Sequence, residues 1–473
     1  MVWHSCPSMR RRGSAAMLAA GAVALAAGCV LHKPPDAAAL KESALPSVSV
    51  PAQWTGSGQV PSAVVDNWLL TFRDDQLTDA VLEAIAHNAD LRVGAARVEQ
   101  ARLHARLAGA DLYPSVDLLA RRGGKMGGDG SGLQGAVLTM KWELDLWGRV
   151  RYGRAAAVAD ATAARADFEF SRQSIAALVA KNWFLATEAG LQAEVARQGI
   201  VDSDELVRLA EARAQIGAGN AEDVYTARAS AGTYRDALRQ IDLSRAQAIR
   251  GLELLLGRYP AGAAAISPTL PGQPDAIPAG LPSELLERRP DVVAAERRVA
   301  AAFNRRHEAK AARLPAFALT GSASTISSSL FVLQDSPNLI WSLGANLLAP
   351  IYRGGALKTQ VDIRTAEQEE AIAAYATVGI RAFGDVEHAL TAEIAARDRE
   401  QILMQTLSDE QRALDLVRTR FKVGSTDLRF VTQQQLVLNA TQSALIRVQA
   451  EQRIQRVNLH LAVGGSFDAP QQP

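Results

Sequence analysis

Cys29 has the clearest chemistry of any residue in this chain of 473. There are two cysteines, and Cys6 lies in an N-terminal segment marked for removal. After that removal Cys29 stands alone and cannot close an internal disulfide. A lone thiol behind the small residues Ala26, Ala27 and Gly28 is suited instead to covalent lipid attachment. Catalytic groupings are missing from the sequence. It has no His-Glu-x-x-His, no cysteine–histidine cluster, no Gly-x-Ser-x-Gly and no glycine loop placed to cradle phosphate. The seven histidines are scattered, and His104 and His307 are expected at solvated helix positions, not around a metal. Neither enzyme activity nor a bound cofactor is expected. A net charge of +1 gives no global field for holding nucleic acid.

The residues before Cys29 support its modification. Arg10, Arg11 and Arg12 form a positive segment, and Ala15 to Ala27 is an apolar run of 13 residues. That run is too short to cross a bilayer as a helix. Residues 1–28 read as a secretory signal, cleaved between Gly28 and Cys29. Ala26-Ala27-Gly28-Cys29 resembles a bacterial lipobox, with Ala26 where leucine is usual. By that resemblance Cys29 carries an N-acyl diglyceride and a palmitate. Val30, in place of an aspartate, favours the outer membrane. Residues 29–65 are rich in proline, glycine and serine, and no hydrophobic period survives there. An extended lipid-anchored tether is expected.

The rest of the chain is written twice. Asp90 precedes Pro114 as Asp291 precedes Pro315, and Arg97-Val98 matches Arg298-Val299 at the same offset of 201. Ile216-Gly217 matches Val423-Gly424 at an offset of 207. The two units are expected at 66–257 and 283–464, with a Pro/Gly-rich linker at 258–282 and a tail at 465–473. Each unit opens with a helical stretch, near Asp75 to Leu112 and Ser283 to Leu314. Arg289-Pro290 should break the second.

Period two then takes over. Ala136, Leu138, Met140, Trp142 and Leu144 alternate with Val137, Thr139, Lys141 and Glu143, and Trp341, Leu343, Ala345 and Leu347 alternate with Ser342, Gly344, Asn346 and Leu348. Weaker partners precede them, which predicts hairpins at about 115–146 and 316–349. Strands of this length suit a tilted membrane span as well as a soluble hairpin. Proline-free helical stretches follow at about 150–216 and 357–423, each spanning ~100 Å at a helical rise. Returning helices are expected at about 221–256 and 427–463. Heptad seams through Val224, Ala231, Leu238 and Leu252, and through Val431, Leu438, Leu445 and Leu459, mean helices paired lengthwise. High alanine content and few aromatics, 5%, fit such helices. The fold class is therefore mainly α with a small β part.

If the hairpins enter lipid, four strands leave two open edges, and a membrane sheet must close. Closure demands several copies and a strand number that is a multiple of four. Two copies give a plugged eight-stranded barrel, whereas three give twelve strands and room for a lumen.

Specific motifs then identify a family. Asn88-Ala89-Asp90-Leu91, Ala96 to Ala101 and Trp142-Glu143-Leu144-Asp145-Leu146-Trp147-Gly148-Arg149 resemble the first repeat of TolC-like outer-membrane efflux proteins. Leu281 to Asp291, Ala294 to Val299 and Ala349-Pro350-Ile351-Tyr352-Arg353-Gly354-Gly355 resemble the second repeat of the NodT-type lipoprotein branch. Leu314-Pro315-Ala316 in place of Phe-Pro-Ser, and Arg353 at a commonly acidic or polar site, are small departures. The resemblance implies a homotrimer with a twelve-stranded barrel in the outer membrane, an α-helical barrel in the periplasm and a mixed equatorial collar. It also implies a periplasmic adapter (membrane fusion) protein and an inner-membrane resistance-nodulation-division pump as partners. By the same resemblance the turns at Gly217, Gly219 and at Gly424, Ser425, Thr426, Asp427 lie at the periplasmic tip, where an adapter docks and the duct narrows. Asp427 from three copies could ring that constriction and select cations; Ser425, Thr426 and Asp427 equally suit an N-cap. Loops 123–132 and 327–337 should face outside the cell and tolerate insertion. The function implied is a passive exit duct for drugs or other small molecules. A duct for type I protein secretion and a non-conducting coiled-coil scaffold are the alternatives.

Overall fold

The computed structural model describes residues 31–56, 66–121, 134–272, 282, 284–327 and 340–468. Gly28, Cys29 and most residues of the two hairpin loops lie outside this set. Two compact units alternate along the chain. The first is built from Met1–Pro46, Arg97–Arg165 and Ala294–Thr377, and the second from Ser47–Ala96, Ala166–Val293 and Val378–Pro473.

The elements repeat residue for residue. Helix α3 (Ala89–Ala110) and its counterpart α7 (Pro290–Ala311) have 22 residues each and begin 201 positions apart. The long helices α4 (Arg149–Gln215) and α8 (Ala356–Lys422) have 67 residues each and begin 207 apart. The returning helices α5 (Ala221–Leu255) and α9 (Leu428–Ala462) have 35 residues each, again 207 apart. The six extra residues fall within the second hairpin. Strand β1 (Ser115–Arg121) pairs with β2 (Gln134–Leu144), with Ser115 facing Lys141. Strand β3 (Ala316–Ser327) pairs with β4 (Ile340–Leu348), with Ala316 facing Leu348. Ala316 lies 201 beyond Ser115 and Leu348 lies 207 beyond Lys141. The sheet belongs to the first unit and is antiparallel throughout, in the order β1-β2-β3-β4.

Glycine ends the long helices as their sequence requires. Gly217 and Gly424 have φ of +73° and +77°, the left-handed region that an L side chain resists. In the first turn Gly217 N–H donates to Ala214 and Ala218 N–H to Arg213; in the second Gly424 donates to Phe421 and Ser425 to Arg420. These paired bonds satisfy carbonyls that the helix end would leave bare.

Two expectations need correction. The stretch Asp75 to Leu112 is not one helix. It is divided at Asn88 into α2 (Asp75–His87) and α3. The Asn88 side-chain oxygen accepts from Asp90 and Leu91 N–H at 2.9 and 3.2 Å, which competes with continued helix. Nor is 29–65 an extended tether throughout. Helix α1 (Ala37–Ala44) forms behind Asp36, which accepts from Ala39 N–H at 2.8 Å. Leu40, Leu45 and Trp54 are buried. In the second unit Thr55 and Gly56 N–H donate to Glu387 at 2.9 and 2.8 Å. Single apolar residues this far apart carry no period, so sequence patterning could not register them. In the second repeat, Leu285–Arg288 forms one helical turn, α6, and the break at Arg289-Pro290 is where it was expected.

The second unit holds the main core. Trp68, Phe72, Leu77, Val81, Phe184, Leu252 and Val457 pack with Ala176, Val179 and Ala180 of α4, whose small side chains let the helices approach. Nearer the tips Leu414, Phe421, Leu428, Val431 and Leu438 pack with Ala210 and Ala227. The seams are therefore real, and buried polar groups stand beside the second one at Gln435 and Asn439.

Candidate functional site

The register divides the sheet into two chemically distinct faces. Directly opposed residues share a face, and the face alternates along each strand. Val116, Leu118 and Ala120 of β1 face Met140, Leu138 and Ala136 of β2. Those in turn face Gly321, Ala323 and β3 residue 325, while Trp142 and Leu144 face Leu319 and Phe317. Leu347, Ala345, Leu343 and Trp341 of β4 complete the same side. From Phe317 to Ala323 and across their partners this side is apolar or glycine, and the register carries it on toward the loops through Thr325. The opposite side carries Ser115, Asp117, Thr139, Lys141, Glu143, Thr320, Ser322, Ser324, Ser342 and Asn346. There Ser322 and Ser342 hydroxyls lie 2.8 Å apart. Leu118, Trp341 and Leu343 are about 70% exposed or more (69%, 76% and 74%). A soluble protein rarely leaves so continuous an apolar face in water. Alternation along one strand is compatible with a lipid-facing sheet and with a soluble hairpin; agreement across all four strands favours the lipid-facing sheet.

Below the sheet, residues of β2 and the following turn are pinned. Glu143 holds Arg149 at 2.7 Å, and Asp145 accepts from the backbone N–H of Val150 and Arg151. Trp147 Nε1 donates to the Pro315 carbonyl at 2.7 Å, joining the end of the first hairpin to the start of the second. His32 N–H donates to the Tyr152 hydroxyl at 2.8 Å, and the His32 and His307 rings meet edge-on at 5.5 Å. His307 also packs on Phe303 and Tyr152, and burial holds its pKa below the ordinary value. It is half-buried rather than solvated, whereas His104 is exposed as expected.

The tip turns resemble each other in backbone and differ in side chains. Ile216 and Val423 are 79% and 74% exposed. Asn220 caps α5 by accepting from Asp223 N–H at 2.8 Å. Asp427 occupies the corresponding N-cap of α9 but makes no side-chain cap bond, and its carboxylate is exposed. Ser425 Oγ donates instead to the Arg420 carbonyl at 3.1 Å. Gly219 is needed for space, because a Cβ there would meet Arg213 Cβ at 3.0 Å. Gly217 and Gly424 are needed for conformation alone, since nothing lies within 4 Å of a Cβ at either.

Behind the tips a polar chain links the four helices. Arg418 of α8 donates to Gln435 of α9 at 2.7 Å and lies 3.5 Å from Asp202 of α4. Gln435 donates to Asn439, and Asn439 donates to the Tyr234 hydroxyl of α5 at 2.9 Å. Burial pushes the Tyr234 phenol upward. Of these five only Tyr234 stands on a heptad seam legible in the sequence, and there as a packing position. The signal available was the polar interruption of the α9 seam. No cluster that could hold a metal ion occurs among the described residues. No described helix is long and apolar enough to cross a membrane.

Comparison with known proteins agrees with this geometry. The family described as outer membrane efflux protein matches residues 80–258 and 281–465. The pyoverdine export outer membrane protein OpmQ of Pseudomonas aeruginosa is 30% identical over 448 residues, covering 90% of this chain and 93% of that protein. Outer membrane protein OprJ of the same organism is 30% identical over 453 residues, covering 89% and 91%. The solved structure of the outer-membrane channel OprN superposes with a TM-score of 0.82 at 23% identity, covering 93% of this chain and 99% of that one.

Proposed function

The chain belongs to the outer membrane efflux protein family, as an outer-membrane channel of efflux systems, and from this premise we propose that it is the passive exit duct of a tripartite pump for small molecules. The observation that carries the reading is the two-faced sheet. One side is apolar across four strands and suits lipid; the other is hydroxyl- and charge-bearing and suits a wet lumen. Small-molecule cargo accords with the pyoverdine export named for the OpmQ relative. The duct has no energy source of its own, so an inner-membrane resistance-nodulation-division pump and a periplasmic adapter are the partners.

Three copies form the duct. A four-stranded sheet has edges at β1 and β4, and unpaired edges are untenable in lipid. The proposed division is a signal at 1–28, an anchored segment at 29–65, repeats at 66–257 and 283–464, the linker 258–282 and the tail 465–473. Cys29 carries the lipid, and the Gly217, Gly219 and Gly424 to Asp427 turns form the adapter-facing tip. Cys29→Ser should abolish incorporation of labelled palmitate; retained label would remove Cys29 as the anchor. The test of the whole reading is single-channel conductance in a planar bilayer, with mass in detergent measured alongside. A trimer with discrete unitary steps is expected. A monomer or dimer without current, even after the Asp427 turn is altered to open it, would replace the duct with a scaffold.

A further inference from the structure

We propose that Lys310, Arg313, Arg353 and Lys358 form a seat for the headgroup of an anionic phospholipid, in the leaflet of the outer membrane nearer the long helices. This rests on the reading above, that the apolar face of the sheet meets lipid. It goes further in naming a lipid class and the residues that select it.

The argument comes from comparing the two repeats at the junctions where helix meets strand. In the second repeat these are 305–315, from α7 into β3, and 349–358, from β4 into α8. They carry six Lys or Arg and one acid, Glu308. The equivalent residues of the first repeat, 104–114 and 142–151, carry three of each. The fold is the same at both places, so the fold does not demand the excess. Particular residues show how it arises. Arg151 stands in the first turn of α4, and Asp145 holds it at 3.1 Å. Moving both forward by 207 gives Lys358 and Tyr352, so the cation is kept and its carboxylate is replaced. Glu143, which holds Arg149, becomes Pro350. Lys310 and Arg313 stand where the first repeat has Gly109 and Leu112, and Arg353 where it has Leu146. All four cations are exposed, and none makes an ion pair among the described residues. Lys358 also lies in the first turn of a helix, where the dipole disfavours a cation and no acid offsets it. Four cations without a counter-ion call for an anion from outside the chain.

Position identifies that anion as lipid. Ala316 faces Leu348, so both junctions lie at one end of the sheet, away from the loops. Beyond β4 the chain runs through Ile351, 92% exposed, and Tyr352, 87% exposed, to Arg353. Apolar, then aromatic, then cationic is the order met in passing from hydrocarbon to headgroups. Tyr113, also exposed, marks the same level before β1. The chain that follows the proposed anchor at Cys29 arrives here too. Leu31 lies against Gly148, where a Cβ would come within 2.7 Å of it. His32 meets Tyr152 and His307, and His307 is three residues before Lys310 on α7. Acyl chains on Cys29 would therefore enter the membrane beside the four cations.

Lipid binding tests the seat. The full chain, purified in a non-ionic detergent, is titrated against phosphatidylglycerol with a fluorescent tail, and against phosphatidylcholine with the same tail, by anisotropy. Phosphatidylglycerol should bind about tenfold more tightly at low salt, and the preference should shrink as salt rises. Replacing all four cations by glutamine should remove the preference. Replacing four other exposed cations, Arg92, Arg97, Arg208 and Arg239, should leave it. Should the fourfold variant fail to fold, Arg353→Gln with Lys358→Gln should cut the preference to about threefold. Equal affinity for the two lipids, or equal loss in both sets of variants, refutes the seat. Displacement of phosphatidylglycerol by inorganic phosphate would make it a site for free phosphate and refute the lipid assignment. If neither lipid is preferred and the fourfold variant alone falls apart into monomers, the cations serve a neighbouring copy instead. A trimer with unitary conductance and no lipid preference sinks this inference alone, whereas a monomer with no current sinks the duct reading.

Discussion

Asp427 and Asn220 stand 207 positions apart at the same N-cap and make different contacts. Asn220 satisfies a bare N–H of its helix, and Asp427 does not. Asn220→Ala should therefore lower stability by about 1 kcal/mol, the ordinary worth of such a cap. Asp427→Ala should cost markedly less and act on conduction instead, raising leak and lowering cation preference in a planar bilayer. Equal loss of stability in the two variants, seen as equal shifts in thermal midpoint, would return Asp427 to a structural role. A second pair at equivalent places is Glu253 and His460. Glu253 accepts from Gly262, Ala263 and Ala264 N–H, which hold its carboxyl below the usual range. His460 is 1% exposed, stacked on Trp68 at 5.7 Å, and neither ring nitrogen has a hydrogen-bond partner. Burial first, and the charge of Arg456 second, push its pKa down to about 3. The unfolded chain takes up a proton near the ordinary value while the folded chain does not. Stability is thus full above about pH 6.5 and falls as pH drops from there toward 3. Thermal midpoints measured across that window should decline. His460→Phe, which keeps a ring against Trp68 and cannot be protonated, should flatten the decline; an unchanged slope would assign it to other groups.

At the scale of elements, the breaks between short helices matter as much as the long helices. Asn88 separates α2 from α3, and Arg289 separates α6 from α7, 201 positions later. Asn88 Nδ2 donates to the Leu255 carbonyl at 3.0 Å, at the end of α5. Arg289 Nη1 donates to the Ala462 carbonyl at 3.3 Å, at the end of α9. Leu255 and Ala462 are themselves 207 apart, so each repeat ties its helix break to the end of its returning helix. Arg289 adds charge, meeting Asp291 at 2.8 Å and Asp385 at 2.9 Å while only 3% exposed itself. Arg289→Ala leaves two carboxylates without their counter-ion and should destabilise by about 3–5 kcal/mol, against about 1–3 for Asn88→Ala. Chemical denaturation of both variants checks the order. Part of this was legible in the sequence. Missing prolines and terminal glycines placed the long helices to within a residue, since few alternatives exist for 67 residues without a breaker. Pro290 exposed the second break, but Asn88 is compatible with helix and hid the first. The Arg418–Gln435–Asn439–Tyr234 chain was hidden for another reason. Its members lie on three helices, and no spacing along the chain relates them.

At the scale of the molecule, the sheet's two faces make opposite demands, and substitution can separate them. Neighbouring residues of β4 alternate between the faces. Leu343 belongs with Gly321 and Met140 on the apolar side; Ser342 belongs with Ser322 on the polar side. If the apolar side meets lipid, Leu343→Arg places a charge in hydrocarbon, at a cost of about 2–4 kcal/mol near the bilayer centre. The proposed ring of three copies would meet that cost three times, so assembled protein in the outer membrane should fall steeply. Ser342→Arg, one residue away and with the same side chain, enters the proposed wet lumen beside Ser322, with Thr139 next across the sheet. Assembly should be kept, and unitary conductance and cation preference should drop, because in the proposed trimer the added positive charges repel cations at one level of the pore. A soluble hairpin predicts otherwise. There both arginines would be solvated, both proteins would accumulate, and neither would change a current. The comparison requires no knowledge of cargo, adapter or pump. It depends only on the side of the sheet to which each residue belongs, which the strand register determines and single-strand alternation could not.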